Sequence, residues 1–149
     1  MPSKTVRPAY FAALATERPD IAMCRAAAYL ARAGEAHATR QGLGVGQHLV
    51  LKMLDAVGPC SQQVLAEELR IDRSVMVNVC DDLEKSGFVH RRRNPDDRRS
   101  YAVTITGEGR ERLAGAETAV PSFLDETFAP LTADERAQLT ALVSKLMQL

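Results

Sequence analysis

The chain lacks any C-x-x-C pair, and its three cysteines, Cys24, Cys60 and Cys80, stand far apart. That argues against a tetrahedral zinc site and against a dithiol redox centre. Cys24, His37, His48 and the acidic residues show no spacing that would gather a metal, so neither metal nor cofactor is expected. An odd cysteine count with no apolar leader fits a reducing cytoplasm. No run of about 18 apolar residues occurs, so a soluble, cytoplasmic protein without a membrane partner is expected. Net charge is also missing: Lys+Arg and Asp+Glu number 19 each. Whole-chain charge therefore gives no sign of a polyanionic partner, and such an argument must rest on local clustering. G-x-S-x-G, H-E-x-x-H and a phosphate-cradling loop are absent, and no enzyme is expected. The Gly42-x-Gly44-x-Gly46 spacing lacks a strand–turn–helix context and reads as a helix break.

What is present is enough for a core. Of 149 residues, 46% are hydrophobic and 26% charged. That suits one domain, or one domain with an oligomerisation appendage. Residues 1–18, with Pro2, Pro8, Tyr10, Phe11 and Leu14, read as an arm holding one short helix. Pro19-Asp20 opens an Ala-rich helix to about His37, with Ile21, Cys24, Ala28 and Ala31 on one stripe. A second helix, Val45 to Ala56, carries Leu49, Val50, Met53, Leu54 and Val57, and Gly58-Pro59 ends it.

Ser61 is placed to cap a short helix, Gln62 to Leu69, with Val64, Leu65 and Leu69 inward. After a tight connection, Asp72 is placed to cap Arg73 to Lys85, whose inward stripe is Met76, Val79, Cys80 and Leu83. Gly87 supplies a left-handed stop. Two short helices joined this way make a helix-turn-helix. The period then changes. Phe88–Arg92 and Ser100–Ile105 read as strands about the turn Asn94-Pro95-Asp96-Asp97. Thr106 caps a long helix that Pro121 should kink or break. Thr132 and Glu135 form a capping box for a last helix carrying Leu139, Leu142, Val143, Leu146 and Met147.

Within His90–Tyr101, five arginines (Arg91, Arg92, Arg93, Arg98, Arg99) face two aspartates, a local charge of +3 in a neutral chain. A hairpin directly after a helix-turn-helix can lie along the neighbouring minor groove of DNA. Arginines there gain from phosphates and from the narrow groove's negative potential.

Residues 61–110 resemble the MarR (multiple antibiotic resistance regulator) family of winged helix-turn-helix regulators. Four pieces fall in register without a gap: Leu65-Ala66 in the first short helix; Leu83-Glu84-Lys85-Ser86-Gly87-Phe88-Val89 closing the second; Asp97-Arg98-Arg99 at the wing; and Thr106-Gly107-Glu108-Gly109 opening the next helix. The resemblance implies a mainly α fold with a small β-hairpin wing and intertwined N- and C-terminal dimerisation helices. The implied organisation is residues 1–44 as an N-terminal dimerisation arm and helix, 45–106 as the winged helix-turn-helix, and 107–149 as C-terminal dimerisation helices. It further implies a homodimer reading a pseudo-palindromic operator in double-stranded DNA, with helix 73–86 in the major groove and wing 90–101 in the minor groove. The apolar face of the last helix and the apolar residues of the arm support the dimer independently.

If the inward stripe of the second short helix is as above, Arg73, Ser74, Val75, Val77 and Asn78 face outward near its start. Arg73 and Ser74 suit phosphate or base edges, Asn78 an adenine, and Val77 a thymine methyl. Ser61 joins this DNA-facing set. Asp81 and Asp82 put negative charge on the same helix, which shifts affinity onto the wing. There the resemblance implies that Asp97 braces Arg99, which reaches the minor groove. It also implies a small phenolic or aromatic acid effector, for which Tyr29, Arg32 and His48 are the candidate wall, carboxylate partner and anchor. Two alternatives share the fold: a cysteine-based redox sensor, with Cys24 on the first helix and Cys60 in a turn, and a protein–protein module suggested by the acidic second helix.

Overall fold

The computed structural model describes residues 9–94, 96, 97 and 99–149. Most element ends fall where side-chain chemistry puts them. Helix α1 spans Tyr10–Glu17, and Pro19 opens the long α2, Pro19–Gln41, which Gly42 closes in the left-handed region (φ 67°). Helix α3 covers Val45–Val57, α4 Gln62–Leu69 and α5 Arg73–Lys85. Ser61 caps α4 by accepting the Val64 N–H at 3.2 Å. Thr106 caps α6, Gly107–Glu117, by accepting the Gly109 N–H at 3.0 Å. The chain breaks just before Pro121, and α7 runs Val120–Thr127. The reciprocal Thr132–Glu135 box opens α8, Ala133–Leu146.

Strands β2, Val89–Arg93, and β3, Tyr101–Ile105, form the antiparallel wing, with Arg91 opposite Val103. A short strand β1, Cys60–Ser61, pairs with β3 on its other side, giving the order β1-β3-β2. Two residues between a glycine-proline stop and a helix cap give no period, so β1 is not readable from the sequence.

The junction of wing and α6 explains two of the motifs. Gly87 turns in the left-handed region (φ 77°). The Thr106 hydroxyl donates to the Gly87 carbonyl at 2.7 Å, and the Thr106 N–H donates to the Phe88 carbonyl at 3.0 Å. That carbonyl lies so close to Gly109 that no Cβ could fit there. The glycine of each motif therefore serves one joint.

The core lies between Leu43 and Ala116, with Leu51, Leu54, Leu65, Met76, Leu83 and Val103 among its sealed side chains. Several inward assignments differ from the pattern. Val64 is exposed and Leu65 with Ala66 is buried, because α4 starts from the sheet at β1 and turns that face to the core. In α3, Leu49 and Val57 are exposed and Leu51 is sealed. In α2, Ala38 alone is buried, and Cys24 and Ala31 are exposed. Helices α1, α7 and α8 bury no residue. Among the described residues no helix is long and apolar enough to cross a membrane.

Candidate nucleic-acid interface and an adjoining cavity

Helices α4 and α5 meet at Arg70, which takes the left-handed conformation (φ 53°) usually left to glycine. Such a residue costs roughly 1 kcal/mol. Two bonds hold the turn: the Ile71 N–H to the Ala66 carbonyl at 3.0 Å, and the Met76 N–H to the Asp72 carbonyl at 2.9 Å. Asp72 occupies the cap position of α5, but its side chain makes no cap bond. The side-chain cap expected at Asp72 is therefore not formed, and its carbonyl accepts the first bond of the helix as any residue there would.

The α5 stripe is as expected: Met76, Cys80 and Leu83 are buried and Val79 is half-buried, close over Gly46 of α3. The opposite face carries Arg73, Ser74, Val75, Val77 and Asn78, all exposed, with Val75 at 48% and Val77 at 43%. Arg73 lies 3.5 Å from Glu67 of α4, and both are well exposed. Ser61 is half-buried and its hydroxyl is engaged in the α4 cap.

The arginines of the wing divide. Arg91 turns back onto α5, its Nη2 2.6 Å from Asp81 Oδ1 and its Nε 3.8 Å from Glu84. It is half-buried. Arg92, Arg93 and Arg99 are exposed, and the Arg93 guanidinium sits 5.9 Å from the Tyr101 ring centre. Arg98 lies outside the described residues. Asp97 does not hold the guanidinium of Arg99 in the way the resemblance implied. Its Oδ1 accepts the backbone N–H of Arg99 at 2.9 Å, while Asn94 Oδ1 accepts the Asp96 N–H at 3.0 Å. A short carboxylate two residues before its partner reaches the near backbone donor first, and so shapes the loop.

Behind α5, on the far side of α3, a cavity of about 310 Å³ opens between α2, α3 and the α6–α7 corner. Its walls are mostly apolar, with Leu43, Val45, Leu49, Val120 and Leu124 among them. His37 stacks flat on Phe123, ring centres 4.4 Å apart and planes at 24°. Among the described residues the buried His37 Nε2 meets no hydrogen-bond partner. At the cavity's edge, His48 Nε2 lies 2.6 Å from Glu117 Oε1, and Lys52 Nζ donates to both Glu117 oxygens at 2.9 and 3.0 Å. Hydrogen bonds from His48 first, then Lys52, hold the Glu117 carboxyl below the usual carboxylate range. An ionised carboxylate only accepts, so His48 Nε2 carries the proton.

The family model described as MarR family matches residues 43–101. YkoM of Bacillus subtilis (strain 168), an uncharacterized HTH-type transcriptional regulator, is 30% identical over 104 residues, covering 70% of this chain and 68% of its own length. The chain belongs to the MarR family. A second relative, the uncharacterized HTH-type transcriptional regulator YdgJ of the same organism, is 30% identical over 105 residues, or 70% of this chain. The match spans 64% of YdgJ, just under two thirds. Among solved structures, a mutant of MarR from E. coli complexed with operator DNA superposes with a TM-score of 0.71 at 25% identity, covering 77% of this chain and 83% of that one. The PcaV transcriptional regulator from Streptomyces coelicolor, in complex with its natural ligand, gives 0.75 at 25% identity, covering 82% and 89%.

In this MarR-family chain the three candidate effector residues separate. His48 lines the cavity; Tyr29 and Arg32 do not, and both are exposed. Tyr29 lies more than two turns before His37 along α2, and Arg32 faces away from the Gly34–His37–Ala38–Gln41 stripe that lines the cavity. The cavity is instead lined by His37, Lys52, Glu117 and Phe123, none of which the sequence pattern singled out for it. The i, i+4 spacing of His48 and Lys52 puts both on one face of α3, the one signal that could have paired them. The thiols of Cys60 and Cys80 are pushed up by burial, the Cys80 shift tempered by Arg91.

Proposed function

We propose that the chain is a homodimeric, ligand-responsive transcriptional repressor that binds a pseudo-palindromic operator in double-stranded DNA. Residues 73–86 enter the major groove, and the wing, residues 90–101, follows the minor groove. The observation that carries this reading is a set of exposed side chains of suitable chemistry: Arg73, Ser74, Val77 and Asn78 at the start of α5, and Arg92, Arg93 and Arg99 on a wing that Arg91 ties to α5 at Asp81. Arg73, Ser74 and Ser61 suit phosphate, Asn78 and Val77 suit base edges, and Val75 packs alongside. Arg98 belongs to the same wing by sequence. Asp97 acts by fixing the loop that presents Arg99. The operator complex of the E. coli MarR mutant supports the docking mode by likeness.

Dimerisation through residues 1–44 and 107–149 is supported by their unburied apolar side chains, which include Tyr10, Phe11, Met23, Leu139, Leu142 and Leu146. A monomer would leave these in water at about 25 cal/mol per Å². The effector reading is a small aromatic acid in the cavity, with His48 and Lys52 toward its carboxylate and the His37–Phe123 pair beside its ring. The protein–protein alternative rested on the acidity of α5 at Asp81, Asp82 and Glu84, and Arg91 pairs with Asp81 at 2.6 Å and lies 3.8 Å from Glu84, which takes up part of that acidity. The redox alternative is disfavoured at Cys60 and Cys80 by the raised thiols.

Selection of bound sequences from random duplex DNA tests the operator claim. Enriched sites should carry two inverted half-sites about one helical turn apart. Asn78→Ala should relax one position per half-site, whereas uniform weakening across sequences would make Asn78 a phosphate contact. Failure to enrich any motif would sink the regulator reading.

A further inference from the structure

The cationic edge of the cavity is already occupied by the protein's own carboxylate. Glu117 is the last residue of α6, and it spans 69 and 65 positions of chain to meet His48 and Lys52 of α3. A carboxylate there faces the negative end of the helix dipole, an unfavourable place for it. The two α3 side chains offset that. Its side chain remains about one-third exposed, so it has water to retreat into. The rest of the cavity is apolar, bounded by a flat His37–Phe123 stack and carrying one unsatisfied nitrogen, His37 Nε2. A planar anion with a second hydrogen-bonding group fits that chemistry. With Glu117 in place, the Lys52 charge is already matched, so an incoming carboxylate meets repulsion rather than attraction.

We infer that Glu117 is a tethered competitor for the effector: a ligand carboxylate binds by taking His48 and Lys52 from Glu117, and so unfastens α3 from the end of α6. The inference rests on the effector reading above. Its consequence is regulatory, because α3 lies directly under α5, where Val79 packs over Gly46. A ligand that replaces Glu117 exchanges a link between α3 and the α6–α7 corner for a link between α3 and the ligand. The bound and empty states then hold the recognition helix from behind by different contacts.

Calorimetry on the whole chain and on Glu117→Gln tests this, with 4-hydroxybenzoate, its neutral analogue 4-hydroxybenzamide and the cationic 4-hydroxybenzylamine as probes. Glutamine keeps the shape and an acceptor but removes the charge. Glu117→Gln should bind 4-hydroxybenzoate about three- to tenfold more tightly and the amide unchanged, as expected for losing one partly exposed ionic contact. Lys52→Met should lose most benzoate binding. Carbon-13 NMR of the Glu117 carboxyl should show its pKa rising when 4-hydroxybenzoate saturates the wild type. Equal benzoate affinity in both proteins, or equal tightening for the amide, would overturn the competition and leave the effector reading standing. No benzoate binding to either protein, or preferential amine binding lost in Glu117→Gln, would overturn both.

Discussion

Arg91 of the wing reaches back to Asp81 of α5, guanidinium nitrogen to carboxylate oxygen at 2.6 Å. The pair joins the two parts of the proposed DNA-binding surface. It also offsets the negative charge of Asp81 on α5, where in the proposed complex like charge would repel phosphate. In the proposed complex Arg91 therefore positions the wing, while Arg99, exposed at the loop, is the one free to meet DNA.

Salt dependence separates these roles. Replacing a phosphate-contacting arginine reduces the slope of log K against log salt by about 0.9. Arg99→Ala should weaken operator binding roughly tenfold and lower the slope by about that amount. Arg91→Ala should also weaken binding but leave the slope nearly unchanged. Anisotropy titrations at several salt concentrations decide it, and a lowered slope for Arg91→Ala would make it a DNA contact.

Gly109 fills the joint between wing and α6. A Cβ there would strike the Phe88 carbonyl, which is already engaged by the Thr106 N–H. Gly109→Ala should destabilise the fold by about 2–3 kcal/mol in urea melts, as forced overpacking does. A change within a few tenths would mean that the joint relaxes freely.

Glu117 makes stability depend on pH with a definite sign. Its carboxyl is held below its ordinary value by His48 and Lys52. The folded state therefore binds the proton less readily than the unfolded chain. The contribution is fully present above the ordinary carboxylate pKa and is lost as pH falls through the depressed one. The stability difference between wild type and Glu117→Gln should shrink steadily on acidification across that window. A difference independent of pH there would contradict the pairing.

The unburied face of α8 predicts assembly. Leu142 is 66% exposed and Leu146 63% exposed. Leu142→Glu should raise the dimer dissociation constant by at least about a hundredfold, since two copies would bury a charge. Light scattering reads this directly. An unchanged dimer would place the interface elsewhere.

The sequence revealed most where local chemistry dictates structure. Ser61, Thr106 and the Thr132–Glu135 box set helix starts, Gly42 and Gly87 set stops, and Pro121 broke a helix, because caps and breakers act through near neighbours. The outward face of α5 was legible from its period. The cavity was not. Its edge joins residues 48 and 52 to residue 117, and its wall joins 37 to 123. No local pattern encodes such pairings. Arg91 counted as one of five like charges until the strand register set it opposite Val103, facing α5. Val64 and Leu65 are adjacent apolar residues on a helix of eight residues, too short for periodicity to choose between them.

The most direct test of the central claim is fluorescence anisotropy of the purified protein with the intergenic DNA upstream of its own gene, against scrambled DNA, across a salt series. Tight binding that prefers the natural sequence and falls steeply with salt is the predicted result. Equal, weak binding to both DNAs would contradict it.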